Sequence, residues 1–361
     1  MAVSRINEAG LNVNQYGNRN VIINGAMTVA QRGTSVTGIT SSGYQTLDRF
    51  KTSGSAGGTW TMAQTAITDL AQFAQSLKMD VTTAKSSPDS GSSFRIQTLL
   101  EGQDLQRFAK GTSSAKEYSL SFYVKGTTTG TYIVEFYDVD NTRHVSKAYT
   151  IDAANTWEYK TLLFPADTTG AFDNDNASSL IISWYLMAGS DLTSGTLQQT
   201  WGAASNTTRA SGQVNLAAST SNDWQITGVQ LEVGDTATDF EHRTFADELQ
   251  KCQRYCIVYG GVAAYDRVGV GHCTNATNFS VVISMPVEMR ASPAESTSAD
   301  SDFALYHQTT VTPITALSVN YTNPKTATLT GTVASGLTAG KFVQFLTNNT
   351  TNARLTLDAE L

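Results

Sequence analysis

Apolar and polar side chains alternate with a period of two through most of this chain. Tyr118, Leu120, Phe122 and Val124 fall on one face of an extended segment, and Ser119, Ser121, Tyr123 and Lys125 fall on the other. Tyr132, Val134 and Phe136 repeat the pattern after a turn bounded by Gly126 and Gly130. Leu180, Ile182, Trp184 and Leu186 make a further strand, and Trp224 with Ile226 opens the last one before residue 243. Clusters of turn-forming residues, such as Asp138–Asn141 and Phe172–Asn176, separate these runs. Short strands without intervening helical periods predict an antiparallel sandwich over 21–243. A jelly roll of about eight to ten strands fits that length.

The texture changes at Thr244–Cys256. Phe245, Leu249, Cys252 and Cys256 recur at helical spacing, which predicts a short amphipathic helix over 244–258 with those four residues on its buried face. Thr244 with Asp247 resembles a capping box, and Asp247 and Glu248 precede Lys251 and Arg254 as the helix dipole favours. Alternation then returns. Phe279, Val281, Ile283, Met285, Val287 and Met289 predict a strand running through Pro286, which would confine it to an edge or a bulge. Leu355, Leu357 and Leu361 alternate near the end, so residues 259–361 read as a second, small β-domain. The whole is all-β with one connecting helix. Residues 1–20 are polar and Asn-rich, which fits a disordered tail, but Ile6, Leu11, Val13 and Tyr16 supply apolar anchors that favour an arm ordering on a partner.

Composition narrows the function classes. Only 15% of the 361 residues are charged, against about 25% in ordinary globular proteins, which favours a particle or extracellular β-protein over a metabolic enzyme. The net charge of −7 and the lack of any Lys/Arg run argue against a nucleic-acid surface. The start lacks a charged n-region with an apolar core, and no apolar run is long enough to span a bilayer, so neither a signal peptide nor membrane insertion is expected. The three cysteines, Cys252, Cys256 and Cys273, make no disulfide framework and read as small buried hydrophobes. Zinc held by them with His272 is the less favoured reading.

Several phrases resemble a family of bacteriophage virion proteins, the tail-fibre or appendage proteins with a carbohydrate-binding-module-like jelly roll. In the first half they are Asn20-Val-Ile-Ile-Asn-Gly-Ala-Met27, Gln31-Arg-Gly33, Asp48-Arg49-Phe50, Leu100-Glu-Gly-Gln103 and Ser121-Phe-Tyr-Val-Lys125. Gly228-Val-Gln-Leu-Glu-Val-Gly234 and Phe240-Glu-His-Arg243 lead into Glu248-Leu-Gln-Lys-Cys-Gln-Arg-Tyr255. Met285-Pro-Val-Glu-Met-Arg-Ala-Ser-Pro293 and the closing Leu357-Asp-Ala-Glu-Leu361 match as well. The resemblance implies a structural virion protein on the particle surface, typically a homotrimer that docks on other virion proteins by its N-terminus. Phe245, Leu249, Cys252 and Cys256 would then lie where three chains meet. A host-surface glycan is the implied ligand class, and a head fibre or capsid decoration protein is the alternative reading.

Candidate chemistry is sparse. His144, His242, His272 and His307 carry no HExxH or GxSxG context, so no enzyme is expected; a polysaccharide-degrading appendage would need an opposed acid pair. Glu232, Asp235, Asp239 and Glu241 cluster in sequence with nothing to link them to a groove, and His242 reads as closing the sandwich. Asp138, Asp140 and Asn141 in one turn, with Asp173 and Asp175 in another, could furnish part of a calcium shell, although Asx-rich turns without metal explain the same residues. For glycan contact, Trp184 and Trp224 fall on core positions. Trp201 sits in a polar, loop-like segment, and Tyr137 and Tyr185 point away from the core in their strands, so these three are the candidate platform.

Overall fold

The computed structural model describes residues 18–55 and 57–361. The anchors Ile6, Leu11, Val13 and Tyr16 lie outside the described residues. The chain divides into two compact units, one reaching Phe245 and the other starting at Ala246. It is nearly all β, as the alternation requires.

In the first unit the strands are, in chain order, β1 (Ser35–Ile39), β2 (Lys51–Ser55), β3 (Thr59–Ala66), β4 (Gln75–Thr83), β5 (Ser93–Glu101) and β6 (Tyr118–Gly126). There follow β7 (Gly130–Asp138), β8 (Arg143–Ile151), β9 (Glu158–Phe164), β10 (Ser178–Ala188), β11 (Gly202–Ala203) and β12 (Asp223–Val233). They form two six-stranded antiparallel sheets, in the orders β1-β3-β4-β12-β6-β9 and β11-β8-β7-β10-β5-β2. This is a jelly-roll sandwich with more strands than the sequence suggests. The extra ones are short edge strands, β11 above all, whose two residues carry no readable period.

Inward positions of both sheets fill one core. Trp60, Trp184 and Trp224 are fully buried, Trp60 stacks on Phe94 at 4.9 Å, and Phe136 stacks on Phe164 at 3.7 Å. Each such apolar side chain contributes about 1.5–3 kcal/mol relative to an exposed position. The described N-terminal residues belong to this unit from the start. Asn20 bonds Val229 O through its side chain and Glu241 through its backbone N–H, and Ile22 is in the core.

A further segment, 189–215, lies over the outer face of the second sheet, beginning with the single turn α1 (Ser190–Thr193). Leu192 and Ala210 pack there on Ile133 and Tyr185. Tyr185 is therefore 0% exposed, which corrects its candidacy as an open glycan platform. It does point away from the main core, but alternation cannot reveal that a second layer covers that face.

The connecting helix α2 spans Phe245–Gln253, shorter than expected. Tyr255 closes a turn onto Cys252, and Cys256 starts β13 (Cys256–Tyr259), paired with Asp358. Burial follows Glu248 and Cys252, with Leu249 half-buried, while Phe245 is 59% exposed. The predicted stripe thus joins two elements: Cys256 is buried as a strand residue, and Phe245 is mostly exposed. All three cysteines are buried, and none is in a disulfide.

The second unit continues with β14 (Arg267–Cys273), β15 (Asn278–Ser284), β16 (Ala294–Thr297), β17 (Phe303–His307) and β18 (Thr310–Asn320). It ends with β19 (Thr326–Val333), β20 (Phe342–Thr347) and β21 (Leu355–Asp358). Six strands close into a barrel in the order β14-β15-β19-β18-β17-β20, and β13-β21-β16 form a small sheet. β15 ends two residues before Pro286 and is paired on both sides, so the edge-strand reading is corrected. The proline has no N–H for the ladder, and the strand stops before reaching it. Among the described residues no helix is long and apolar enough to cross a membrane.

Candidate functional site

An aromatic cleft is built on the outer face of the first sheet. Tyr123 of β6 lies directly opposite Tyr159 of β9, and their rings sit 4.9 Å apart. These are the outward positions of two strands whose inward neighbours, Phe122 and Leu162, are in the core. One wall comes from the β3–β4 connection. It turns back through a bond from Phe73 N to Leu70 O and lays the Phe73 ring 5.4 Å from Tyr123. The opposite wall is the segment after β12, where Phe240 and His242 pack 5.0 and 5.3 Å from Phe73.

That second wall is fixed from below by Glu232. Its carboxylate accepts from the Thr238 N–H at 3.0 Å and from the Thr238 hydroxyl at 2.5 Å. Gln230 donates to the carbonyls of Thr238 and Asp239 and accepts from the Glu241 N–H. The floor is Gly228, at a bulge where the β12 register shifts between Thr227 and Gln230. Its φ is +62°, and a Cβ added there would lie only 2.6 Å from the Phe73 ring, so the position has room for glycine alone.

The result is a cleft of about 360 Å³ lined by Tyr123, Tyr159, Phe240, His242, Gln72 and Asp239, among others. Tyr159 is 47% exposed, so its ring face is open to a ligand. The Tyr123 hydroxyl donates to Gln72 Oε1 at 3.2 Å. Burial, with Tyr159 and Asp239 nearby, pushes the Tyr123 phenol up, so it keeps its proton at neutral pH. Two residues away from each tyrosine, Lys125 of β6 and Trp157, which immediately precedes β9, extend the strip. Asp69 accepts from Lys125 at 2.8 Å and from Trp157 Nε1 at 2.9 Å, and the Lys125 ammonium holds its carboxyl below the usual range. Flat aromatic faces beside fixed polar groups suit a sugar ring, which offers an apolar face and a rim of hydroxyls.

The candidates drawn from sequence lie elsewhere. Trp201 is half-buried, packs against the sandwich core and donates to Pro165 O at 2.9 Å, so it is a capping residue and not an open platform. Tyr137 is half-buried beneath the Arg209 guanidinium, 5.1 Å from its ring. Tyr185 donates to Glu135 Oε2 at 3.1 Å and accepts from Arg95 at 2.8 Å. Glu135 is fully buried; burial opposes its ionisation, but His144 at 3.3 Å and the paired Arg209 at 2.5 and 2.8 Å outweigh it and bring the carboxyl down to about 2. This network fastens the 189–215 layer to the sheet.

The two acidic turns do meet, but around a lysine. Lys110 is buried, with Nζ 2.6 Å from Asp138, 3.2 Å from Asp167, and within 3.0 Å of the carbonyls of Thr169 and Gly170. The rings of Phe172 and Trp201 lie 5.1 and 5.2 Å from it. Asn141 also bonds Asp138, Asp140 accepts from the Asp173 N–H, and Asp175 caps Ala177. The ammonium takes the central place that a calcium ion would need. Among the described residues no group of three His, Cys, Asp or Glu side chains is arranged to hold a metal.

Sequence reasoning passed over the cleft although part of its signal was readable. Tyr123 stands on the polar side of its strand, and Tyr159 alternates with Thr161 and Leu163. The contributions of Phe73, Phe240 and His242 depend on two connections folding over the same face, which no local period encodes. Asp239 and His242 do border a groove, which corrects the reading of that acidic cluster as unlinked to one.

No protein-family model matches the chain, and no curated protein matches it. Among solved structures it is similar to the enzymatically active domain of tailspike protein 4 of bacteriophage CBA120, at 15% identity and a TM-score of 0.31 over 60% of this chain and 21% of that one. A sugar-binding protein assigned in Bacteroides thetaiotaomicron gives 12% identity and a TM-score of 0.31, over 59% of this chain and 99% of that one. A family 11 carbohydrate-binding module from Clostridium thermocellum gives 11% identity and a TM-score of 0.27, over 58% of this chain and 98% of that one.

Proposed function

We propose that this chain is a structural protein of a bacteriophage particle, a trimeric tail fibre or tail appendage that contacts host-surface glycans through its jelly-roll unit. The observation that carries the glycan part is the pair Tyr123 and Tyr159, set side by side with one ring open, in a cleft rimmed by hydrogen-bonding groups. The particle assignment rests on the sequence phrases that resemble virion appendage proteins. Exposed Phe245 on α2 is an apolar group that neighbouring chains would cover. The role is binding and not catalysis: Asp239 is the only carboxylate among the residues lining the cleft, whereas glycoside cleavage uses two, about 5–9 Å apart.

A glycan array probed with the full chain tests the reading. The wild type is expected to bind a defined subset of glycans, and Tyr159→Ala to lose about tenfold in affinity, the equivalent of one lost stacking contact of about 1.4 kcal/mol. Binding that survives both Tyr159→Ala and Tyr123→Ala would move the site elsewhere. Sedimentation of the full chain checks assembly, and a monomer refutes the trimer.

A further inference from the structure

The charges around the cleft do not cancel, and the remainder has a sign. Each cation near it is already engaged with an acid. Lys125 is bonded to Asp69 at 2.8 Å, Arg19 lies 3.5 Å from Glu232 and donates to the Asp239 carbonyl, and Arg243 lies 3.5 Å from Glu241. Asp239 lines the cleft, and its carboxylate has no hydrogen-bond or ion-pair partner among the described residues. It is close enough to Tyr123 to disfavour that phenol's ionisation. His242, the other titratable group of the same wall, is exposed and packs edge-on to Phe240, with ring centroids 4.9 Å apart. So one uncompensated negative charge stands beside two tyrosine faces, and aromatic faces themselves attract cations.

We infer that the cleft discriminates by charge: it favours glycans bearing a free amino group, the deacetylated hexosamines, and rejects those bearing carboxylates or phosphates. The ammonium of such a sugar would meet Asp239 while the ring lies on Tyr159. A uronic or sialic acid would set a second negative charge against Asp239, with no unengaged cation beside the cleft among the described residues to receive it. This inference rests on the glycan-binding reading of the same cleft and specifies its ligand class.

The experiment is an array graded by charge, with amino, neutral N-acetylated and anionic oligosaccharides of matched length, probed with wild type, Asp239→Asn and Tyr159→Ala. The wild type should prefer amino over anionic glycans by at least fivefold, with a smaller margin at high salt because an exposed pair is screened. Asp239→Asn should collapse that ratio toward one. Anionic glycans bound by the wild type as tightly as amino ones, and lost in Tyr159→Ala, sink the charge inference while leaving the cleft as the binding site. A preference that persists in Asp239→Asn does the same. No glycan bound at all, or binding indifferent to Tyr159→Ala, overturns the cleft itself and this inference with it.

Discussion

Lys110→Met keeps most of the length of the side chain and removes its charge from a site with no access to water. The ammonium serves four oxygens, those of Asp138, Asp167 and two carbonyls. Asp167 retains Arg143 at 2.9 and 3.2 Å, so the loss falls mainly on Asp138, which keeps only Asn141. Breaking a buried ion pair by deleting one partner costs about 3–5 kcal/mol, and Arg143 should hold the figure near the low end, about 3 kcal/mol. For a unit of this size that is a fall in melting temperature of about 6–12 °C. Tryptophan fluorescence suits the measurement, because the Trp201 ring lies 5.2 Å from the ammonium. Adding Asp138→Asn to the variant removes the stranded carboxylate and should recover about half of the loss. A Lys110→Met melting temperature within about 2 °C of wild type, or no recovery in the double variant, would refute the argument that this pair holds the two turns together.

Three further outcomes follow from buried groups. The Glu135 carboxyl is brought from 4.5 to about 2 on folding, so its stabilisation is present above pH 4.5 and is lost as pH falls toward 2. At about 1.4 kcal/mol per unit this amounts to about 3 kcal/mol, and Glu135→Gln, less stable at pH 7, should converge on the wild type in urea titrations near pH 2. Gly228→Ala forces a side chain into a left-handed conformation and against Phe73; a loss of about 1–2 kcal/mol in chemical unfolding and weakened glycan binding are expected, whereas a neutral effect on both would show that the floor can yield. Lys110→Ala leaves a cavity rimmed by two carboxylates and two carbonyls, hard oxygen ligands that suit calcium. Added calcium should raise the melting temperature of that variant by more than that of wild type, and equal responses would mean that the oxygens do not converge once the ammonium is gone.

The part of this protein that alternation encodes was legible, and the part that depends on which surface a connection covers was not. Inward positions such as Leu120, Phe122, Ile182 and Trp184 alternate strictly and are all buried, because a one-residue slip would turn the whole set toward solvent. The same period says that Tyr123, Tyr159, Tyr137 and Tyr185 point outward, and there its information ends. Tyr185 became a buried residue under 189–215, while Tyr159 stayed open, and the difference was made by Leu192, Arg209 and Ala210 of the segment that folds back over the sheet.

Charged residues follow the same division. Asp138 and Asp173 look like metal ligands when only their turns are read, because the lysine that joins the cluster, Lys110, lies 28 residues before Asp138. The helix shows the limit from the other side. A stripe of four apolar residues continued past Gln253 only because Cys256 happens to keep the helical spacing while pairing with Asp358 in a strand. The outer faces of this sandwich acquire their chemistry from the connections laid across them. The cleft exists because Phe73 and Phe240 cross over β6 and β12, and it carries a charge because the Glu232–Thr238 bonds hold Asp239 at its edge.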